Sequence, residues 1–320
     1  MTVAAKQPAL RGALVAIGVV AAIACANSVL AARASRKNPP KGEFVDVDSV
    51  KIHYVVMGDG PPVVILHGNG SMAADFLASD LVTMLATSHK VFVFDRPGYG
   101  HSDVGLKWWT AARQARCLDG ALNRLGVSEE IIMGHSWGTL VALALGQIRA
   151  CKGLVLLSGY YFASPRLDVF AGAFPATPGP GDLWRWTFGP LVGWLFSVPV
   201  FRHLFSPSRV PSRFKARFPL ALSLRPKSLK SSAVETLLMV PTAYQLSRSY
   251  SHLKVPTVIV AGEKDHIVSS AQAERLCKTL QNAFLVKLSD AGHMLHQTHS
   301  TDVLKALKGL EAGLPGTASR

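Results

Sequence analysis

Residues 130–146 read EIIMGHSWGTLVALALG, which places a serine between an apolar run and a run of small and apolar residues. The first run has the length and composition of a buried strand, and the second is typical of a helix packed on a sheet. Gly134 and Gly138 leave room where the two backbones pass closely, and the sharp turn between them lifts a hydroxyl clear of the sheet. The stretch therefore predicts a strand, a turn and a helix, with Ser136 as a nucleophile.

A serine hydroxyl needs a base to accept its proton and an acid to orient that base. We predict His293 as the base, because the segment DAGHMLH follows the last apolar run and can place an imidazole over the strand ends. Asp265 is the predicted acid, since VIVAGEKDHIV carries it just beyond a buried strand. We expect surface roles for His296 and His299. We expect the side chain of His135, adjacent to the serine, to point away from the hydroxyl.

Apolar runs recur along the chain and predict a mostly parallel sheet of eight strands. Residues 44–56 alternate as a two-stranded hairpin, and the later runs are apolar on both faces, as parallel strands require. These runs are PVVILHG (62–68), KVFVFD (90–95), EIIMGHS (130–136), GLVLLSG (153–159), PTVIVAG (256–262) and AFLVKLS (283–289). Helical stretches lie between them, which indicates an α/β doubly wound fold.

The interval from residue 160 to residue 250 has no comparable strand run and is too long for a loop in a compact domain. We predict a mainly helical cap there, inserted after the sixth strand into a core made of residues 43–159 and 251–320. The aromatic side chains of this cap either line an apolar acyl pocket or form its own small core. They are Trp184, Trp186, Trp194, Phe196 and Phe201.

Five segments in this order resemble the α/β-hydrolase superfamily. They are HGNG (67–70), DRPGYGHSD (95–103), GHSWG (134–138), AGEKDHIV (261–268) and AGHMLH (291–296). The resemblance implies the α/β-hydrolase fold with its inserted cap, no cofactor and no metal. It also implies an oxyanion hole formed by the backbone N–H groups of Asn69 and Trp137. We expect His67 and Asp95 to brace the neighbouring loops by hydrogen bonds.

The predicted activity is acyl transfer from an ester-type bond of an apolar substrate, through an acyl-enzyme on Ser136. Serine counts against the related haloalkane dehalogenases and epoxide hydrolases, which use aspartate at this position. A cofactor-free haloperoxidase or perhydrolase and an amide or carbon–carbon bond hydrolase remain alternatives on the same triad. A membrane-tethered lipid-binding protein is the non-enzymatic alternative.

The net charge of +14 belongs to two segments of the chain. Residues 1–42 hold six basic and no acidic residues, and residues 160–250 hold eleven basic and three acidic ones. Neither segment has a nucleic-acid-binding signature, so an anionic membrane surface is the expected partner of this charge. The four cysteines are scattered and predict neither a disulfide framework nor a zinc site.

The segment from Ala13 to Ala32 is 20 residues long and uncharged, which is long enough for a helix to cross a bilayer core of about 30 Å. The basic cluster that follows favours an uncleaved single-pass anchor, because positive flanks tend to remain in the cytoplasm. A cleaved signal, which would leave a secreted or periplasmic protein, is the alternative, since small residues around Cys25 or Arg33 could serve as a cleavage site.

Overall fold

The computed structural model describes residues 6–105, 108–166 and 168–313. Residues 1–5 of the predicted N-terminal segment and residues 314–320 of the predicted core lie outside these ranges. Eight strands form one sheet: β1 Glu43–Val47, β2 Val50–Met57, β3 Pro62–Leu66, β4 Lys90–Phe94, β5 Ile131–His135, β6 Gly153–Leu157, β7 Thr257–Gly262 and β8 Ala283–Leu288.

The spatial order of the strands is β1-β2-β4-β3-β5-β6-β7-β8. The β1–β2 and β2–β4 pairs are antiparallel and all the other pairs are parallel, so the predicted mostly parallel sheet is confirmed. Side chains alternate between two apolar layers, as the period of a strand requires. In β3, Val63 and Ile65 pack into one layer, and Val64 and Leu66 pack into the other.

Helices flank both faces of the sheet. Those associated with the sheet and its loops are α2 Ala73–Leu77, α3 Asp80–Leu85, α4 Ala111–Arg124, α5 Trp137–Ile148, α12 Ala271–Thr279, α13 Leu295–Thr298 and α14 Ser300–Glu311. Those between β6 and β7 are α6 Asp168–Ala173, α7 Pro180–Trp186, α8 Gly189–Phe205, α9 Ser212–Arg217, α10 Leu220–Ser223 and α11 Pro226–Ser247. The described part of residues 160–250 contains no strand, and the assignment of this interval as a cap domain stays a prediction.

The described part of the chain begins with a single long helix, α1 (Lys6–Lys37). The most apolar window within residues 10–37 has a mean hydropathy of 2.3 and contains no buried residue, so α1 is long and apolar enough to cross a membrane. The carboxyl end of α1 contacts the folded domain, where Ala34 packs with Met72 and Leu222. Among the described residues, α7 and α8 together form the other candidate, with a bend of 69° between them.

Candidate active site

Ser136 lies on the predicted sharp turn between β5 and α5. Its backbone has φ +52° and ψ −120°, a conformation that costs free energy for a residue with a side chain and that clusters at functional sites. The flanking glycines are required by close packing. A Cβ on Gly134 would lie 2.5 Å from the carbonyl oxygen of Gly138, and one on Gly138 would lie 2.3 Å from that of Leu66. Two residues of GHSWG, Gly134 and Gly138, are therefore required by the close packing at this turn, and Ser136 lies between them.

Asp265 and His293 meet in the loops that follow β7 and β8. His293 Nδ1 lies 2.8 Å from Asp265 Oδ2, and both side chains are buried. The other carboxylate oxygen, Oδ1, accepts hydrogen bonds from the backbone N–H groups of Ile267 (2.8 Å) and Val268 (2.9 Å). Because Asp265 is held in this way, it is placed to accept a hydrogen bond from Nδ1–H of His293, which would leave Nε2 available as the predicted base.

The loop that carries Asn69 runs against the nucleophile turn. A Cβ on Gly68 would lie 3.1 Å from the Cβ of Ser136, so these two residues are in close contact. The side chain of Asn69 points elsewhere: its Nδ2 donates to the Ser232 carbonyl oxygen (3.2 Å) and to Thr236 Oγ1 (3.0 Å) on α11. Only the backbone of Asn69 can therefore serve the predicted oxyanion hole.

Trp137 is the first residue of α5, and its side chain is buried. The first N–H groups of a helix have no partner within the helix and lie at the positive end of its dipole. The N–H of Trp137 has both properties and directly follows Ser136. This position suits a donor to a negatively charged oxygen formed at the serine.

Three further polar side chains, those of Asp75, His135 and His296, form a buried group next to His293. His135 Nε2 is 3.0 Å from the carbonyl oxygen of His293, so the nucleophile turn and the histidine loop are in direct contact. His296 Nε2 is 3.0 Å from Asp75 Oδ1, and the ring of His296 stacks on Phe76. The expected surface role of His296 is therefore wrong, because the short helix α13 turns this side chain into the interior.

The electrostatics of this group follow from its burial. Burial lowers the pKa of His135 well below its ordinary value, so its imidazole is neutral. Burial raises the pKa of Asp75, but the interactions with His296 outweigh this effect and bring it to about 2. Asp75, His135 and His296 offer ligand atoms within 4.8 Å of one another, as a metal site would. Asp75 Oδ1 already accepts hydrogen bonds from His296 and from Gln297 Nε2 (3.0 Å).

His67 and Asp95 brace the neighbouring loops, as predicted. His67 Nδ1 donates to the carbonyl oxygen of Gly68 (2.8 Å), and its Nε2 accepts from the backbone N–H of Arg96 (3.0 Å). Burial, followed by the charge of Arg96, lowers the pKa of His67 to about 3. Asp95 accepts from the backbone N–H groups of Ala73 (2.7 Å) and His101 (2.8 Å).

A buried network that the sequence did not predict joins these loops to α11. Arg96 forms two hydrogen bonds to the carboxylate of Glu235, which α11 contributes. Arg96 also donates to the carbonyl oxygens of His67 (2.7 Å) and Gly68 (2.9 Å). The hydroxyl of Tyr99 lies 2.7 Å from Glu235 Oε2. The one sequence signal was an acidic residue inside the apolar run AVETLLMV of a basic segment.

The structure does not gather the five aromatic residues of the predicted cap into one acyl pocket. Trp194 and Phe196 project from α8 with 61% and 59% of their surface exposed. Trp184 packs against Phe174 instead, and Trp186 is exposed. Phe201 packs with Phe214 and Phe218 in a separate cluster.

The protein matches the family described as alpha/beta hydrolase fold over residues 61–300. The chain belongs to this family. Its relatives include the polyketide synthase ThaQ of Burkholderia thailandensis, 29% identical over 249 residues, and the match covers 76% of this chain and 11% of ThaQ. Another is 2-hydroxy-6-oxononadienedioate/2-hydroxy-6-oxononatrienedioate hydrolase 2 of Pseudomonas putida, 27% identical, with 78% of this chain and 88% of that protein covered.

Among solved structures, a membrane phospholipase A described as a bacterial virulence factor has the same fold. The TM-score is 0.67 at 17% identity, and the match covers 95% of this chain and 99% of the other. The α/β-hydrolase membership and the eight-stranded fold are thus shown. These comparisons show that the chain belongs to a family of hydrolases.

Proposed function

We propose that this protein is a serine hydrolase that cleaves an ester-type bond of an apolar substrate through Ser136, His293 and Asp265. The single observation that carries the proposal is the oriented pair of Asp265 and His293, with Nδ1 and Oδ2 2.8 Å apart, beside a strained turn that presents a serine. A serine, a histidine and an aspartate arranged in this way activate the hydroxyl for attack on an acyl carbon.

The reaction then proceeds in two halves. His293 Nε2 takes the proton of Ser136 as Oγ attacks the carbonyl carbon, and the N–H groups of Asn69 and Trp137 hold the oxygen that becomes negative. The leaving alcohol takes the proton back from His293 and departs. Water repeats the sequence on the acyl-enzyme and releases the acid. Asp265 holds the tautomer of His293 throughout and stabilises its cation.

A fluorophosphonate probe tests this proposal, since such probes label an activated serine covalently. The full chain in detergent should be labelled, and Ser136→Ala should remove the label and lower kcat on short esters by on the order of 10⁶-fold. Ser128→Ala, at an exposed serine, is the matched control and should change neither. Labelling of Ser136→Ala at the level of the control would overturn the assignment of the nucleophile.

A carbon–carbon bond hydrolase is the second candidate, supported by the resemblance to the Pseudomonas putida hydrolase named above. The same triad could serve this reaction. A panel of p-nitrophenyl esters of graded chain length and a 2-hydroxy-6-oxodienoate separate the two candidates. Turnover of the dienoate alone would favour the second candidate. Absence of probe labelling together with no turnover of either substrate class would favour a lipid-binding role.

We further propose that α1 stays attached and anchors the protein in a membrane. The contacts of its carboxyl half with the folded domain support retention. Asn27 Nδ2 donates to the carbonyl oxygen of Trp186 (2.9 Å), and Arg225 Nη1 donates to Ser35 Oγ (3.1 Å). Removal of a signal peptide near Arg33 would discard the first of these contacts and leave the second. Resistance of the membrane-bound protein to carbonate extraction tests the anchor.

A further inference from the structure

Helix α8 presents an apolar surface to its surroundings on nearly all sides. Its exposed side chains are Leu191, Val192, Trp194, Leu195, Phe196, Val198 and Val200. A helix that is apolar all round is normally covered, either by a protein core or by a bilayer. In the described part of the protein α8 is held at its two ends: Gly189 packs on Trp184 and Gly193 on Leu224 near its start, and Phe205 packs with Phe214 at its end.

The length of this apolar surface limits how it can enter a membrane. Residues 188–201 carry no charge and are 14 residues long, so as a helix they extend about 21 Å. A bilayer core is about 30 Å thick, and apolar segments of this length are either buried in a protein core or lie in the interface or one leaflet of a membrane. The exposure of α8 in the described part of the protein favours the membrane. Arg202 and His203 follow immediately and end the apolar stretch.

The amino end of α8 lies beside the carboxyl half of α1. The hydrogen bond from Asn27 to Trp186 joins α1 to the turn before α8. Ile23 and Leu30 of α1, with Leu191 and Trp194 of α8, line one apolar groove of about 700 Å³ between the two helices. A membrane that surrounds residues 23–30 of α1 therefore reaches the first turns of α8 at the same depth.

Positive charge surrounds both helices where they leave this apolar zone. The last turns of α1 carry Arg33, Arg36 and Lys37. A second groove of about 660 Å³ lies at the far end of α8, and its charged lining residues are Arg202, Arg209 and Lys215. Basic residues near an anionic leaflet are attracted to it electrostatically. An apolar helix bordered by cations matches the order of layers in a leaflet that contains anionic lipid.

We propose that α8 embeds its apolar surface in the same leaflet that surrounds the carboxyl half of α1, so that the segment between β6 and β7 lies in the membrane surface. The proposal rests on the anchoring role of α1. A bilayer is favoured over a second copy of the chain because the apolar surface of α8 continues directly into that of α1, a helix long enough to span a membrane. Anionic phospholipid is the lipid that the basic border fits.

The test measures the depth of an environment-sensitive nitrobenzoxadiazole label in the full chain, reconstituted in vesicles of phosphatidylcholine and phosphatidylglycerol. With the half-buried Cys151 and Cys277 replaced by serine, Cys25, which is exposed on α1, reports on the anchor. In the same background with Cys25→Ser, Trp194→Cys reports on α8. Ile148→Cys is the matched control, because this exposed residue ends α5 opposite to Ser136. Emission wavelength, quenching by aqueous iodide and quenching by doxyl-labelled lipid are compared.

We expect the labels at residues 25 and 194 to emit at shorter wavelength than the label at residue 148. Both should be quenched by doxyl lipid and should be several-fold less accessible to iodide. A label at 194 that behaves like the one at 148, while the label at 25 lies in lipid, would overturn the proposal for α8 and leave the anchor intact. Aqueous labels at both positions would overturn both. Protection of position 194 from iodide without quenching by doxyl lipid would mean that protein covers α8. None of these readings depends on catalysis, so the proposed hydrolase activity stands or falls separately.

Discussion

Arg96 and Glu235 form a buried ion pair that joins the loop after β4 to α11, and the same guanidinium holds the carbonyl oxygens of the loop beside Ser136. Both side chains are almost completely buried. Arg96 therefore connects α11 to the loop that forms the predicted oxyanion hole. Asn69 adds a second connection, because its side chain is bonded to α11 as well.

Removing one partner of this pair should destabilise the protein strongly. Glu235→Ala leaves the Arg96 guanidinium buried without its counter-charge, which costs about 3–5 kcal/mol of unfolding free energy. Chemical unfolding in detergent measures the loss. Asp59→Ala, at an exposed acidic residue, removes the same charge and should change the unfolding free energy by less than about 0.5 kcal/mol. Equal effects of the two substitutions would show that the ion pair does not hold α11.

Asp265→Asn should preserve the fold and lower kcat by about 10⁴-fold. The backbone N–H groups of Ile267 and Val268 keep an oxygen in the place of Oδ1, so the amide nitrogen faces His293. That nitrogen donates a hydrogen bond, which forces the proton of His293 onto Nε2 and removes the base. Steady-state kinetics on a short ester measure the effect. Asp290→Asn, at an exposed acid near the same loop, should retain activity, and comparable losses in both variants would contradict the role of Asp265.

Two substitutions of Asn69 separate its backbone from its side chain. Asn69→Ala keeps the N–H and removes the side-chain hydrogen bonds to α11 and to the hydroxyl of Tyr99, so kcat should fall by less than about tenfold. Asn69→Pro removes the N–H and should lower kcat by about 100-fold or more, the loss expected for one oxyanion donor. Circular dichroism establishes that both variants are folded. Similar kcat values for the two variants would mean that the N–H of Asn69 does not contact the oxyanion.

The fold could be predicted from the sequence because its parallel strands are short, continuous apolar runs separated by helical stretches. Each predicted strand lies within two residues of its position in the structure, as with 153–159 against Gly153–Leu157. The nucleophile turn was equally readable, since Gly134 and Gly138 are fixed by contacts between neighbouring backbones. Local sequence determines features of this kind.

The buried polar contacts could not be predicted from the sequence, because the two residues of each contact are distant along the chain. Glu235 meets Arg96 across 139 residues, and His296 meets Asp75 across 221. Hydropathy alone places a histidine after a strand on the surface, and only the tertiary packing of α13 brings His296 to the buried carboxylate of Asp75, which accepts its hydrogen bond. The positions of the aromatic residues of α8 were not predicted correctly for a different reason. An apolar run in a sequence predicts burial in protein, and the same run is equally compatible with the burial in lipid that we propose.

Acid should destabilise the protein through its buried neutral histidines. The pKa of His67 is lowered to about 3, against about 6.5 in an unfolded chain, and that of His135 is lowered in the same direction. Between these pH values the unfolded chain binds protons that the folded protein does not, so stability is fully present above pH 6.5 and falls as the pH decreases. His67 contributes a slope of about 1.4 kcal/mol per pH unit in that window, and His135 acts in the same direction.

His67→Gln tests this dependence and separates it from a loss of packing. The variant should be less stable at pH 7, because its contacts with Gly68 and Arg96 change, yet its unfolding free energy should fall less steeply between pH 6 and pH 4. The slope should decrease by about 1.4 kcal/mol per pH unit, because unfolding of the variant binds one proton fewer. His252→Gln, at an exposed histidine, should keep the slope of the unsubstituted protein. If His67→Gln also kept that slope, other groups would have to bind the protons, and the neutral buried state of His67 would not be the cause of acid sensitivity.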